Sequence, residues 1–390
     1  MPDCLAVLNA GSSSIKFALY GASDEALLFR GQIESIGLEP RLKVRDAAGH
    51  TVAEERWPPE GFDHGAATRQ IVRVANDLLA GSKVVAVGHR VVHGGMNHGA
   101  PVRIDPGIIE ELQRLVPLAP LHQPHNLAPI RAIIEHAPKL PQVACFDTAF
   151  HRTQSATVQS FALPRKYFAE GVRRYGFHGL SYEYVAAEMR RVAPDIAEQR
   201  LVIAHLGNGA SLCALHGGRS IASTMGFTAV DGLMMGTRCG TIDPGVILYL
   251  MDSHRMDARA VEDLVYKKSG LLGVSGITSD MRTLRQSSDP KAREAIDLFI
   301  YRIVREIGSL TAALGGLDGL VFTGGIGQRD TKTRLEVIAG CGWLGAEIDE
   351  TANAAGEMRI DAASSKIPVW VLPTDEERVM ARSTATLLNL

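Results

Sequence analysis

Arg90, Arg238, His178, Asp147 and Glu376, together with three glycine-rich turns, are the parts of this chain whose residue types and settings could do chemistry. The turns are Asn9-Ala10-Gly11-Ser12-Ser13-Ser14, Gly207-Asn208-Gly209 and Gly324-Gly325-Ile326-Gly327, each following a short apolar run. Turns poor in side chains expose backbone N–H groups, and such groups hold phosphate oxygens. Three of them point to a nucleoside triphosphate. Arg90 precedes Val91-Val92-His93-Gly94-Gly95, where its fork has room for carboxylate or phosphoryl oxygens. Arg238 sits in Met234-Met235-Gly236-Thr237-Arg238-Cys239-Gly240, a loop too glycine-rich for a core. Two such arginines suit phosphoryl transfer, which needs positive charge on the equatorial oxygens more than covalent help. The plainer alternatives are an arginine paired with a carboxylate and a surface arginine.

Asp147 ends one apolar run and Glu376 follows another. Carboxylates so placed, close to phosphate turns, hold Mg²⁺ directly or through its waters. The competing role is helix capping, which is assigned to Asp375. His178, in Tyr175-Gly176-Phe177-His178-Gly179, lies in a glycine-flanked aromatic loop where an imidazole could touch a transferring phosphate. His122 and His205 are weaker candidates, and His125, His151 and His216 read as structural or surface residues.

The elements that must position these groups follow from periodicity. Cys4–Leu8 and Ile15–Tyr20 form a hairpin around the serine turn, and a second hairpin turns at Ala47-Ala48-Gly49. Helical spacing covers Ala67–Leu79, Ile108–Leu115 and Ile130–His136, with Val116–Asn126 as a shaped loop. Strands Val84–Gly88 and Gln142–Phe146 end near Arg90 and Asp147. The pattern then repeats: Leu201–His205 and Ser211–Leu215 form a hairpin, with Ser211-Leu212 in the place of Ser14-Ile15. Ala295–Leu314 is a long amphipathic helix, Leu320–Thr323 a buried strand leading to the third turn, Val369–Leu372 a late strand, and Arg378–Leu388 a closing helix. The fold class is α/β, two duplicated domains with the site expected in the cleft between them. The division falls near Thr148–Ser160.

The chain has 390 residues, too many for one ordinary core. A formal net charge of −2 offers no general attraction to nucleic acid or to a membrane surface. No run approaches the roughly 18 apolar residues of a membrane span, and the first apolar run is too short for a secretory signal. Five scattered cysteines without a C-x-x-C pair read as reduced thiols in a cytoplasm. P-loop, dinucleotide, nucleophile-elbow and protein-kinase motifs are absent.

Asn9-Ala10-Gly11-Ser12-Ser13-Ser14-Ile15-Lys16 resembles the opening signature of the acetate kinases, and Tyr175-Gly176-Phe177-His178-Gly179-Leu180-Ser181 resembles their second. The motifs around Arg90, Asp147, Gly207, Arg238, Gly324 and Glu376 follow in family order, so the likeness spans the chain. The resemblance implies the actin, Hsp70 and sugar-kinase architecture, two ribonuclease H-like βββαβαβα domains, in a homodimer. It implies reversible transfer of the ATP γ-phosphoryl group to acetate, with Mg²⁺ or Mn²⁺, ADP and acetyl phosphate being the products. By position, Asn9, Arg90, Asp147, His178, Arg238 and Glu376 match the catalytic set, with Asn9, Asp147 and Glu376 at the metal. Val92, Leu121, His122 and Phe177 match the acetate pocket. Lys16, His205, Leu206, Gly207, Asn208, Gly209, Asp280, Met281, Arg282, Gly324, Gly325, Ile326 and Gly327 match the nucleotide site. The domains implied are 1–150, completed by the helix from about 378 to 390, and 151–377. Departures are Ala229 where the family's pocket has proline, Cys239-Gly240-Thr241 in the arginine loop, Asp375 before the two glutamates, and Met281 beside adenine. The alternatives are a propionate or broader short-chain acyl kinase and a non-catalytic ATP-binding scaffold.

Overall fold

The computed structural model describes residues 3–79 and 81–390. The chain divides into two compact units, one taking the chain through Phe150 together with Asp375–Leu390, the other His151–Thr374.

Unit 1 carries one mixed sheet of eight strands. They are β1 (Cys4–Ala10), β2 (Ile15–Gly21), β3 (Leu27–Glu34), β4 (Arg41–Asp46), β5 (Thr51–Arg56), β6 (Val84–Val91), β7 (Val102–Arg103) and β8 (Gln142–Phe146). Their order is β5-β4-β3-β2-β1-β6-β8-β7. Unit 2 carries five: β9 (Leu201–Leu206), β10 (Ala210–His216), β11 (Arg219–Ser223), β12 (Gly319–Thr323) and β13 (Val369–Val371), ordered β11-β10-β9-β12-β13. The inner five strands of unit 1, β3-β2-β1-β6-β8, repeat that order. Directions repeat as well. β1 is antiparallel to β2 and parallel to β6, and β9 is antiparallel to β10 and parallel to β12. This is the duplicated α/β fold that the sequence predicts.

Every residue of β8 and of β12 is buried, as parallel strands covered on both faces require. In unit 1, Phe17, Ile33, Leu42, Ile71, Val74 and Ile133 belong to one core cluster that joins the sheet to helices His64–Leu79 and Gln123–His136. The strands therefore form a fixed floor, and the chemistry-bearing residues stand at its ends.

Several boundaries differ from the sequence reading. The stretch Val116–Asn126 is a loop only in part: the helix expected from Ile130 begins at Gln123 and contains Pro129. Proline fits a first turn, where the missing N–H costs nothing, so Pro124 starts a helix rather than excluding one. Gly324-Gly325-Ile326-Gly327 is the first turn of a short helix, Gly324–Arg329, rather than an open turn. The closing helix starts at Glu376, two residues before the expected Arg378, and Asp375 caps it by accepting from Arg378 N. The hairpin comparison shifts by two residues. Asn9 pairs with Lys16 and His205 with Ser211, so Lys16, not Ser14, is the counterpart of Ser211. The tip of the first hairpin is one residue longer.

Candidate active site

In unit 1, β1 delivers Asn9, β6 delivers Arg90, and Asp147 follows β8, so three neighbouring strands end on three polar side chains. Arg90 grips Asp147 with its fork, Nε lying 3.1 Å from both carboxylate oxygens and Nη2 2.6 Å from Oδ2. Arg90 Nη1 donates to Asn9 Oδ1 at 3.3 Å. The Asn9 amide donates onward to Glu376 at 3.0 Å and Glu377 at 3.3 Å. Asp147 is 1% exposed, so this is a paired charge in a dry place, where an unpaired one would be costly. Burial works against the Arg90 charge, but Asp147 and Glu376 outweigh it and raise its pKa. The plainer role weighed for Arg90, pairing with a carboxylate, is therefore real, and Nη1 still reaches toward Asn9.

Glu376 and Glu377 open the closing helix side by side. Burial, then the neighbouring Glu376 charge, raises the Glu377 pKa. Adjacent hard oxygen donors carrying surplus negative charge fit a divalent cation that also draws ligands from substrate phosphates and water. Among the described residues, no group of three or more His, Cys, Asp or Glu converges as a complete metal cage. Val92 is buried, its N–H donating to Asn126 Oδ1 at 2.9 Å, while Leu121 and His122 are half-buried. Asn126 was missed by the sequence reading. Its amide also donates to Ala10 O at 2.7 Å, tying the first glycine-serine turn to the Val92 strand end. Lys16 is exposed on β2.

In unit 2, the Gly207-Asn208-Gly209 tip joins β9 to β10. A Cβ placed on Gly209 would stand 3.4 Å from His178 Nε2 and 3.7 Å from Arg238 Nη1. Imidazole and guanidinium thus converge on the tip. Arg238 is braced by Nη1 donating to Ala229 O at 3.0 Å. Its loop is held by Gly236 N donating to Asn208 O at 2.9 Å, a packing so close that any Cβ on Gly236 would collide with the Asn208 side chain. His178 and His205 stack with ring centroids 4.3 Å apart. Phe177 is buried, its carbonyl 2.9 Å from His151 Nε2.

The second and third glycine turns meet across the end of β9, where a Cβ on Gly324 would lie 2.7 Å from Leu206 O. A cavity of about 510 Å³ opens here, lined by Gly207, Asn208, Gly325 and Ile326 on one side and Asp280, Met281 and Arg282 on the other. That is the size of an ordinary small-molecule site. Asp280 caps the helix Met281–Gln286 and pairs with Arg282 at 2.9 Å, a partner that holds its carboxyl down at about 2. The same cavity is lined by Arg285, unforeseen from sequence, which is fixed by Asp330 at 3.2 Å and Glu336 at 2.9 Å. Arg334, also unforeseen, is fully buried and donates to Gly327 O at 2.9 Å and Gln328 O at 2.8 Å. It holds the carbonyl end of the helix that begins with the third turn.

The acetokinase family profile matches residues 4–382. The chain belongs to the acetokinase family. It is 53% identical to "Acetate kinase" of Rhodopseudomonas palustris over 389 residues, 98% of each chain. It is 51% identical to "Acetate kinase" of Nitrobacter hamburgensis, covering 99% of this chain and 96% of that one. Among solved structures, the acetate kinase of Porphyromonas gingivalis superposes with a TM-score of 0.88 at 38% identity, covering 99% and 100% of the two chains. A propionate kinase from Francisella tularensis gives 0.91 at 34%, covering 98% and 99%. Within this acetokinase, Asn9, Arg90, Asp147 and Glu376 form one connected cluster in unit 1. His178, Arg238 and the phosphate turns gather in unit 2.

Proposed function

We infer that this chain is an ATP:acetate phosphotransferase, reversibly moving the γ-phosphoryl group of ATP to acetate by direct in-line attack, with acetyl phosphate and ADP as products. The observation that carries the reading is the approach of His178 Nε2 and Arg238 Nη1 to Gly209, at a glycine tip that also lines the cavity. The acetate carboxylate is ionised at neutral pH and needs no general base. Arg90, its fork set by Asp147, orients that carboxylate beside Val92, Leu121, His122 and Phe177. Arg238 and His178 bind the equatorial oxygens of the transferring group, and Asn9 places one of them. The cavity takes the nucleotide, its phosphates on Gly207–Gly209 and Gly324–Gly327 and its adenosine by Asp280, Met281 and Arg282. His205 and Leu206 support the first of these turns, and Lys16 supplies charge toward the phosphates. Mg²⁺, or Mn²⁺, would be held by Glu376, Asp147 and Asn9, and when bound it neutralises nucleotide phosphate charge. The protein acts in the cytoplasm as a homodimer.

Incubation with acetate, ATP and hydroxylamine tests the reaction: acyl phosphate is trapped as hydroxamate. Arg90→Ala and Arg238→Ala should each cut turnover by about 10²-fold or more while leaving ATP binding largely intact. Near-normal turnover in either variant removes that arginine from the mechanism. No hydroxamate with acetate, propionate or butyrate would leave a nucleotide-binding scaffold instead. A higher kcat/KM for propionate than for acetate would reassign the substrate, a change that the smaller Ala229 side chain favours.

A further inference from the structure

The His178 ring is held on its inner side by a pair of hydroxyl groups. Its Nδ1 lies 2.8 Å from Ser211 Oγ, and Ser211 Oγ lies 2.5 Å from the Tyr182 hydroxyl. Ser211 and Tyr182 are both 0% exposed. The elements explain the meeting. Antiparallel pairing of β9 and β10 sets Ser211 opposite His205, and helix Gly179–Val192 starts directly after His178 and carries Ser181 and Tyr182 on its first turn. Ser181 Oγ stands 2.8 Å from His205 Nδ1, so the ring stacked on His178 is also held by a hydroxyl. His178 has a φ of 58°, a left-handed backbone that a non-glycine residue adopts only when its surroundings enforce it. The ring presents Nδ1 to the buried hydroxyls and Nε2 to Gly209.

We propose that Tyr182 and Ser211 are positioning residues that lock His178 in the tautomer carrying its hydrogen on Nε2, making it a fixed hydrogen-bond donor to the transferring phosphoryl group. The Tyr182 hydroxyl donates to Ser211 Oγ, and the Ser211 hydroxyl donates to Nδ1. A neutral imidazole then carries its single N–H at the other nitrogen. Burial raises the Tyr182 pKa well above its ordinary value, so the phenol keeps the proton that starts the chain. Without the relay, the imidazole is free to present a lone pair at Nε2, which repels a phosphoryl oxygen. The proposal rests on the role of His178 given above, and it adds the two residues through which that role is fixed.

Two measurements test it. In protein labelled with ¹⁵N-histidine at alkaline pH, the His178 signal, assigned by its loss in His178→Gln, should show a pyrrole-type shift at Nε2 and an imine-type shift at Nδ1. Ser211→Ala should shift that signal toward a tautomer mixture. The same variant should lower kcat by about 10- to 100-fold with the ATP KM and the melting temperature little changed, and Ser211→Thr, which restores a hydroxyl, should recover most of the loss. Tyr182→Phe should cost only about 3- to 10-fold, because Ser211 still donates to Nδ1. A pyrrole-type shift at Nδ1 overturns the proposal. So does full kcat in Ser211→Ala when His178→Ala is crippled. Absence of any acyl phosphate from the wild-type protein would sink the functional reading instead, while the ¹⁵N spectrum would still decide the tautomer.

Discussion

His89, His93 and His151 are buried and held neutral, each with its pKa pulled down by burial to about 4. Gly95 N–H donates to His93 Nδ1 at 2.9 Å, a bond that a protonated ring could not accept. In the unfolded chain these rings titrate near their ordinary value of about 6.5. The unfolded state therefore binds protons that the folded state refuses. Their contribution to stability is complete above about pH 6.5 and drains away as the pH falls toward 4, by up to about 4 kcal/mol per pH unit when all three titrate together. Urea midpoints should therefore drop steeply between about pH 7 and pH 5. His151→Gln should reduce that acid-side slope by about a third, whatever it does at neutral pH. A midpoint flat across this range would show that the rings accept protons without cost. Sequence singled out the residues proposed to react because glycine-rich surroundings mark Arg90, His178 and Arg238 individually. Arg285, Arg334 and Asn126 carry no such mark. Arg285 meets its acidic partners 45 and 51 residues away, and Asn126 meets the Ala10 carbonyl 116 residues away. Only the fold brings them together.

At the scale of elements, the third glycine turn shows how a strand end comes to line a cavity. β12 is buried along its whole length and delivers Gly324 with a φ of 78° against the Leu206 carbonyl. A side chain there faces both an unfavourable backbone and a collision with the second turn. Gly324→Ala should destabilise the protein by about 1–3 kcal/mol and raise the ATP KM by about tenfold or more, since one turn must retreat from the other. Gly325, with a negative φ and nothing within 4 Å of an added Cβ, is the control for the fold: Gly325→Ala should keep the wild-type melting temperature. Equal melting temperatures for both variants would show that the close approach is not a constraint. Strands and their order were readable because period-two and continuous apolar runs are strong local signals. The start at Gln123 was not, because prolines that act as breakers inside a helix are permitted in its first turn. The one-residue difference in tip length was hidden for another reason: tip length follows from hydrogen-bond pairing, which two turns of similar composition do not disclose.

At the scale of the whole molecule, helix Pro244–Ser253 calls for a partner. Val246-Ile247-Leu248-Tyr249-Leu250-Met251 are six consecutive apolar residues, apolar all round the helix, yet none of the helix is buried; Leu248 is 62% and Tyr249 59% exposed. A helix of that composition belongs inside a core or an assembly. On the neighbouring helix Ala258–Lys267, Arg259 pairs with Glu262 and Lys267 with Asp263, so these four charges are already matched within the chain. The homodimer proposed above would cover this surface. The protein should sediment at twice the chain mass at micromolar concentration. The double change Leu248→Lys and Tyr249→Glu should shift it to the monomer, because burying two charges at the centre of such a face is costly. The same helix is capped by Asp243, five residues after Arg238, and Cys239 N donates to Val265 O in the neighbouring helix at 3.0 Å. Loss of the dimer should then loosen the Arg238 loop and lower turnover in step with dissociation. A wild-type monomer at these concentrations would refute the interface, and a fully active monomeric variant would separate assembly from catalysis.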